Sequence, residues 1–87
     1  MAPAPQDHVV FTDLDAAEGV LVDLHTKQYY QLNATACVVW KGLARGTPIA
    51  EIARELTIGY DVTLEHARSS VERTIADFSK LRLLKTR

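Results

Sequence analysis

The chain has 87 residues, of which 47% are hydrophobic and 24% charged, and its formal net charge is −1. These values are typical of one ordinary globular domain, and they lack the basic excess with which nucleic-acid-binding proteins neutralise phosphates. The first residues lack the basic segment followed by an apolar segment that is typical of a signal peptide. No apolar run reaches the roughly 20 residues of a membrane span. We therefore expect a cytoplasmic protein without a membrane partner, with a flexible N-terminus over residues 1–7 and one domain over residues 8–87.

Three short β-strands are predicted in the first third of the chain. The segments rich in β-branched or aromatic residues, separated by short polar links, are residues 8–12, 19–24 and 28–32. In the third segment Tyr30 and Leu32 share one face, whereas Tyr29 and Gln31 share the other. The spacing predicts an antiparallel meander whose third strand lies at an edge of the sheet.

The hydrophobic period changes at Asn33, from the alternation of a strand to the spacing of a helix. Asn is among the best N-caps, because its side chain accepts a hydrogen bond from the first helical turn. Three helices are predicted from here, the last ending at about residue 83. Their further caps and terminators are expected at Gly46, Thr47, Pro48 (first helical position), Gly59 and Thr63. The predicted fold is therefore α+β: a three-stranded antiparallel meander followed by three α-helices, similar to a winged helix-turn-helix.

Residues that carry catalytic or metal-binding chemistry are few and scattered. His8, His25 and His66 form no metal-ligand spacing with one another or with the single cysteine. That cysteine, Cys37, is interpreted as a small buried apolar residue of the first helix rather than a nucleophile. The four glycines are isolated, so no phosphate-binding loop is indicated. We expect no catalytic residue, no metal, no cofactor and no enzymatic activity.

The open edge of the predicted sheet is the remaining feature that could bind a partner. An edge strand has unpaired amides and carbonyls, and it can accept an extended peptide as a further strand. Lys27 at this edge is also the kind of charge that discourages uncontrolled pairing. Protection of the edge is therefore the competing interpretation.

The stretch "GVLVDLHTKQYYQLNATACVVW", continued to residue 84, resembles the PqqD-like family of small leader-peptide-binding domains, also called RiPP recognition elements. The resemblance rests on "YYQLNATA", "VVW", "GTPIAEIARELT" and "FSKLRLL" in this order. The segment "LVDLHTKQYYQLNATA" is most similar to the discrete leader-binding protein of lasso-peptide clusters. The pyrroloquinoline-quinone peptide chaperone is the alternative within the family. One departure is Lys27, where relatives often have Gly, because a turn that requires a positive φ would be strained there.

The resemblance implies that a precursor leader peptide adds antiparallel to the third strand, in a cleft between that strand and the third helix. Matched by position, it assigns to peptide contact the strand residues Lys27, Gln28, Tyr29, Tyr30 and Gln31. On the helix it assigns Arg68, Val71, Glu72, Ile75, Phe78, Ser79 and Arg82. Tyr29 is the preferred contact because Tyr30 shares its face with Leu32, and Arg68 is available to an acidic leader residue. The opposite helix flank, with Ser70 and Asp77, remains an alternative wall of the cleft.

The resemblance also implies two further partners: a separate cysteine-protease-type leader peptidase and an ATP-dependent cyclase. Two other classes of function stay open. A winged-helix DNA-binding regulator would need basic residues on the outward face of the third helix. The residues predicted on that face are Glu65, Ser69, Arg73 and Lys80. Glu65 has the wrong sign for that role. A structural or dimerisation module, whose edge strand pairs with a second copy, is the third interpretation.

Overall fold

The computed structural model describes residues 3–14 and 18–85. Its elements, in chain order, are β1 (Ala4–Pro5), β2 (Val9–Asp13), β3 (Gly19–Asp23), β4 (Gln28–Leu32), α1 (Ala34–Ala44), α2 (Ile49–Gly59), α3 (Leu64–Lys80) and β5 (Leu84–Lys85). Strands β2, β3 and β4 form one antiparallel sheet, and the three helices follow it. The predicted α+β fold is confirmed.

Strand β3 lies at the centre of the three-stranded sheet, between β2 and β4. Leu21 of β3 lies opposite Phe11 on one side and Tyr30 on the other. Directly opposed residues point to the same face of a sheet, and Leu21 is fully buried. This row therefore faces the core, and β4 is left as an edge strand within the described part of the chain, as the sequence predicted.

A second, two-stranded sheet joins the two ends of the described chain, where β1 pairs antiparallel with β5. The backbone amide of Gln6 donates to the carbonyl of Leu83 at 3.0 Å, and its side-chain amide donates to the carbonyl of Leu84 at 3.2 Å. The expectation of a flexible segment over residues 1–7 does not anticipate this pairing. Two-residue strands carry no periodicity, and their partner lies at the far end of the sequence. The first two residues lie outside the described range.

Polar side chains cap the first and third helices. The amide of Ala36 donates to Oδ1 of Asn33 at 2.9 Å, and the amide of His66 donates to Oγ1 of Thr63 at 3.1 Å. Each bond satisfies one of the amides that the first turn of a helix leaves without an internal partner. Both predicted caps are confirmed.

Helix α2 begins one residue later than the sequence predicted. Its N-cap is Pro48 rather than Thr47, and no side chain caps it. The prediction was wrong by one residue, because the fixed φ of proline suits the cap as well as the first helical position. Gly59 is the last residue of the helix, and Tyr60 follows it in an extended conformation.

The core lies between the inner face of the sheet and the three helices. Trp40 of α1 packs edge-on against Phe78 of α3, with ring centroids 5.2 Å apart and planes at 87°. A Cβ at Gly42 of α1 would lie 2.6 Å from Cγ1 of Ile52 in α2, so glycine permits the close approach of these helices. This packing fixes α3 relative to α1 and so positions it beside the sheet.

Helices α1 and α3 both end in a Schellman motif, but with different residues in the left-handed position. After α1, Gly46 has φ 75° and the next amide donates to the carbonyl of Gly42 at 2.9 Å. After α3, Arg82 has φ 61° and the amide of Leu83 donates to the carbonyl of Phe78 at 3.0 Å. A side chain in this conformation crowds the following carbonyl and costs about 1 kcal/mol. Arg82 therefore carries strain that Gly46 avoids.

Arg82→Gly is expected to raise the free energy of unfolding by about 0.5–1 kcal/mol, because relief of the left-handed strain exceeds the entropy that glycine adds to the unfolded chain. Urea denaturation measures the change. The matched control is Ala76→Gly, at an exposed position inside α3, which should lower stability by about 1 kcal/mol. An Arg82→Gly variant less stable than the parent would contradict this account of the α3 terminus.

Candidate functional site

The hydrogen bonds between β2 and β3 show which backbone groups of β4 point away from the sheet. The amide of Leu24 donates to the carbonyl of His8, and the amide of Leu14 donates to the carbonyl of Glu18, each at 2.8 Å. Backbone groups of successive residues point to opposite sides of a strand. Even-numbered residues of β3 therefore direct their amides and carbonyls toward β2, and odd-numbered ones direct theirs toward β4.

The backbone amides and carbonyls of β4 alternate in direction in the same way. Leu21 lies opposite Tyr30, and the last residue of β3 lies opposite Gln28, so Gln28 and Tyr30 use their backbone groups within the sheet. Tyr29 and Gln31 consequently direct their amides and carbonyls away from the sheet. The open edge thus offers two donor–acceptor pairs, spaced two residues apart, to another extended chain.

A groove of about 610 Å³ runs between this edge and α3. Its strand wall is formed by Tyr29, Tyr30, Gln31 and Leu32. Its helix wall is formed by Ser70, Arg73, Thr74, Asp77, Phe78 and Leu81. An extended chain hydrogen-bonded to the edge would place alternate side chains in this groove.

The two adjacent tyrosines have different environments. Tyr30 is half-buried against the core, and its hydroxyl donates to Oε1 of Gln28 at 3.2 Å. Tyr29 is 75% exposed. The predicted alternation along β4 is confirmed, and Tyr29 is the ring that is free to contact a guest.

The helix wall of the groove lies on the flank that contains Ser70 and Asp77, the alternative that the sequence left open. Arg68 and Glu72 instead line a separate, smaller depression on the opposite flank of α3. Their contact with a peptide stays a prediction, and the groove described above lies on the other flank. Each residue turns an α-helix by about 100°, so a match by position selects the correct flank only where the rotation of α3 about its axis is known.

The other helix residues matched by the resemblance fall at different depths. Val71 is fully buried, and Ile75 packs half-buried against the core. Ser79 and Arg82 are exposed and do not line the groove, whereas Phe78 does. Among the matched helix residues that the structure describes, Phe78 alone meets the groove.

Three groove residues were missed or assigned another role by sequence reasoning. Arg73 was considered for a DNA-facing surface, and Thr74 and Leu81 were not assigned to peptide contact. Arg73 and Asp77 are one helical turn apart and give the helix wall one charge of each sign. A mixed-charge wall beside a partly apolar floor suits a peptide of mixed sequence better than a polyanion.

The turn that leads into β4 is organised by Asp23. Its Oδ1 accepts hydrogen bonds from the amides of His25 at 2.8 Å and Thr26 at 3.1 Å. The rings of His8 and His25 stack nearby, with centroids 3.8 Å apart. Lys27, the last residue of the turn, has φ 66°. The turn therefore does require a positive φ at the position where relatives often have Gly.

The pKa of Asp23 makes this turn sensitive to acid. Burial by itself would raise that pKa, but the amides of Thr26 and His25 and the imidazoles of His8 and His25 outweigh burial and lower it. A carboxyl with a lowered pKa stabilises the fold above its unfolded pKa, near 3.9, and this contribution is lost as the pH falls through the folded value. Asp23→Asn should therefore be less stable than the parent at pH 7, with the difference narrowing at pH 3. Urea denaturation at the two pH values tests this, and an unchanged difference would count against it.

Within residues 3–14 and 18–85, no group of three or more His, Cys, Asp or Glu side chains is arranged to hold a metal ion. None of the helices described is both long and apolar enough to cross a bilayer. Cys37 is buried on α1, as predicted, and burial raises the pKa of its thiol, which disfavours the reactive thiolate.

The DNA-binding alternative lacks a basic surface. The outward depression of α3 combines Arg68 with Glu65 and Glu72, so acidic groups outnumber basic ones there. Arg73 belongs to the groove instead, beside Asp77. Phosphate binding depends on a cluster of cations, and the described face of α3 does not provide one.

Comparison with known proteins places these features in context. A family model described as Coenzyme PQQ synthesis protein D (PqqD) matches residues 18–84. The solved structure "TbiB1 in Complex with the TbiA(beta) Leader Peptide" is 25% identical, with a TM-score of 0.87 over 97% of this chain and 96% of that one. "Lasso peptide synthetase B1 complexed with the leader peptide" is 22% identical, with a TM-score of 0.89 over 99% of this chain and 100% of that one. No curated protein sequence gives a significant match.

Proposed function

The chain belongs to the PqqD family, and we propose that it binds the leader segment of a ribosomally made precursor peptide. The observation that carries the proposal is the open edge of β4 beside the groove. The same fold occurs in two proteins whose structures contain leader peptides. A leader peptide supplies the extended backbone that this edge can pair with.

The proposed binding mode is strand addition. The leader lies antiparallel to β4, and its backbone bonds to the outward amides and carbonyls of Tyr29 and Gln31. Leader side chains on the inner face enter the groove, where Phe78 offers apolar contact and Arg73 and Asp77 offer charge contacts. The main-chain bonds supply affinity that is independent of sequence, and the groove side chains select among leaders.

The proposed role is that of a non-catalytic adaptor in the cytoplasm. The protein presents the leader to a separate cysteine-protease-type leader peptidase and to an ATP-dependent cyclase, as in lasso-peptide maturation. Binding requires only backbone groups and groove side chains, so no cofactor is needed. One of the two structures that share the fold is of a lasso peptide synthetase B1 with the leader peptide, which supports lasso-peptide maturation over pyrroloquinoline-quinone synthesis within the family.

A direct titration tests the function. The probes are a synthetic leader from the precursor encoded beside this gene, the pyrroloquinoline-quinone precursor peptide, and duplex DNA at near-physiological salt. We expect the neighbouring leader to bind with a Kd below about 100 μM, which corresponds to about −5.5 kcal/mol, and the other two probes to bind more weakly. Weak leader binding beside tight, salt-sensitive DNA binding would overturn the proposal, and preference for the pyrroloquinoline-quinone precursor would reassign the pathway.

A further inference from the structure

The sheet has a second open edge, on strand β2. The hydrogen bonds between β2 and β3 use even-numbered residues of β2, so odd-numbered residues direct their amides and carbonyls outward. The outward amide of Val9 donates to the carbonyl of Gln6 at 3.2 Å. In the described part of the chain β3 is the only strand paired with β2, which leaves the outward backbone groups of Phe11 and Asp13 for another chain.

Strand β2 lacks the lysine that protects the edge of β4. Its five residues include neither Lys nor Pro, two residues that proteins place on edge strands to block pairing. Its one charged side chain is that of Asp13, which pairs with Nζ of Lys41 at 3.0 Å. The same Nζ lies 5.6 Å from the ring centroid of Phe11. The charge at this edge is therefore balanced within each copy of the chain.

The backbone of β2 fits a second copy of β2 in one antiparallel register. With Thr12 opposite Thr12 of the second copy, Phe11 of each copy lies opposite Asp13 of the other, and the two pairs use all the outward amides and carbonyls of these residues. A register with Phe11 opposite itself would need the amide of Val9, which is already bonded. A register with Asp13 opposite itself would place two like charges side by side, which is destabilising.

The side chains on the outer face of the sheet favour the same register. Val10, Thr12 and Leu14 lie on this face, because they alternate with the residues that face the core. Leu14 is one residue beyond β2, and its amide continues the ladder by donating to Glu18. Val10 is 45% exposed and Leu14 is 44% exposed. The register places Val10 of each copy against Leu14 of the other, so self-pairing removes apolar surface on both from water.

We propose that β2 is a self-association edge, through which two copies of this chain form a six-stranded antiparallel sheet in the order β4-β3-β2-β2-β3-β4. The β4 edges lie at the two ends of that sheet, so each copy keeps its groove open. One short strand from each copy makes an interface below the standard size. The dimer is therefore reversible, with an expected Kd of about 10 μM to 1 mM.

Sedimentation equilibrium of the full chain, over a concentration series that spans this range, tests the dimer. The mass of the parent should rise from that of one chain to that of two. Thr12→Lys sets two like charges against each other at the centre of the interface, and it should weaken the dimer by at least about tenfold. The matched control is Ala50→Lys, which adds the same charge at an exposed position of α2 and should behave like the parent. Circular dichroism establishes that each variant is folded.

Disulfide cross-linking with oxidised glutathione tests the register. Opposed residues of a non-hydrogen-bonded pair have Cα atoms about 4.5 Å apart, a distance that a disulfide spans. Thr12→Cys should therefore form a covalent dimer at least about tenfold faster than Val10→Cys. The two copies of position 10 lie four residues apart along the paired strands, about 13 Å, which is beyond the reach of a disulfide. The parent, whose Cys37 is buried, controls for the native thiol.

The outcomes that overturn the proposal are distinct from a failure of leader binding. A parent that stays monomeric throughout the series overturns it, even if β2 pairs with a different protein. A dimer that Thr12→Lys leaves intact places the contact elsewhere, and faster cross-linking of Val10→Cys than of Thr12→Cys contradicts the register. None of these experiments contains leader, so their failure leaves the proposed function standing, and failure of the leader titration leaves the dimer standing.

Discussion

Gln31→Pro is expected to weaken leader binding by about 5- to 150-fold while leaving the protein folded. The substitution removes an amide that points away from the sheet, so it costs the fold no internal hydrogen bond, and proline is tolerated at such edge positions. The bound leader would lose a donor and keep an unsatisfied carbonyl, which costs about 1–3 kcal/mol, or about 5- to 150-fold in Kd. Isothermal titration with the leader measures the effect.

Two further variants make this test specific. Gln31→Ala removes the same side chain but keeps the amide, and it should bind leader within about threefold of the parent. Tyr30→Pro removes an amide that bonds to β3, so it should destabilise the fold itself. Normal leader binding by a folded Gln31→Pro variant would show that the leader does not add to this edge.

Trp40→Ala is expected to lower the free energy of unfolding by about 3–5 kcal/mol, the range for removing a large aromatic side chain from a packed core. The loss is severe because small domains have only about 5–15 kcal/mol of stability in total. It should also weaken leader binding, because Trp40 holds the ring of Phe78 edge-on at 5.2 Å and Phe78 lines the groove. Urea denaturation followed by far-ultraviolet circular dichroism measures the stability.

Trp40→Phe is the matched control, since it keeps an aromatic ring against Phe78 and leaves a smaller cavity. We expect it to retain most of the stability and most of the leader affinity. A Trp40→Ala variant that loses less than about 1 kcal/mol would mean that α1 and α3 are held together by other contacts.

The sequence predicts the order of elements because the local signals here agree with the tertiary structure. The alternation in β4 and the helical spacing after Asn33 both survive folding, since each buries one apolar face against the same core. The caps at Asn33 and Thr63 are equally local, because each bond spans three residues. Such features need no knowledge of the rest of the chain.

The rotation of α3 about its axis was not predictable in the same way. The buried positions Ala67, Val71 and Phe78 define the core face, but polar residues flank that face on both sides. Only the packing of α3 against the other elements determines that the flank with Ser70 and Asp77 meets β4. The pairing of β1 with β5 also depends on a contact between distant segments. Strands of two residues are too short to show a sequence pattern from which that pairing could be predicted.

The two exceptional backbone conformations illustrate a further limit. Lys27 and Arg82 both adopt a positive φ that glycine would adopt with less strain. The family resemblance indicates this for Lys27, because relatives often have Gly there. For Arg82 the sequence contains no comparable sign, since a basic residue near a helix C-terminus is ordinary.

Two features of the β4 edge disfavour pairing with a second copy of the protein. It is short, and Lys27 stands exposed at its beginning, which are two of the ways in which proteins protect an edge. The open edge and the charge beside it are therefore compatible with one another.

Amide hydrogen exchange at Tyr29 and Gln31, followed by nuclear magnetic resonance with and without the leader, tests strand addition to β4 most directly. Both amides point away from the sheet, so they should exchange rapidly in the free protein and slow by at least about tenfold on saturation with leader. Val10, on the far edge strand β2, bonds inward to β3 and should change little. If Tyr29 and Gln31 exchange equally fast with and without bound leader, the leader does not pair with β4 and the proposed binding mode is wrong.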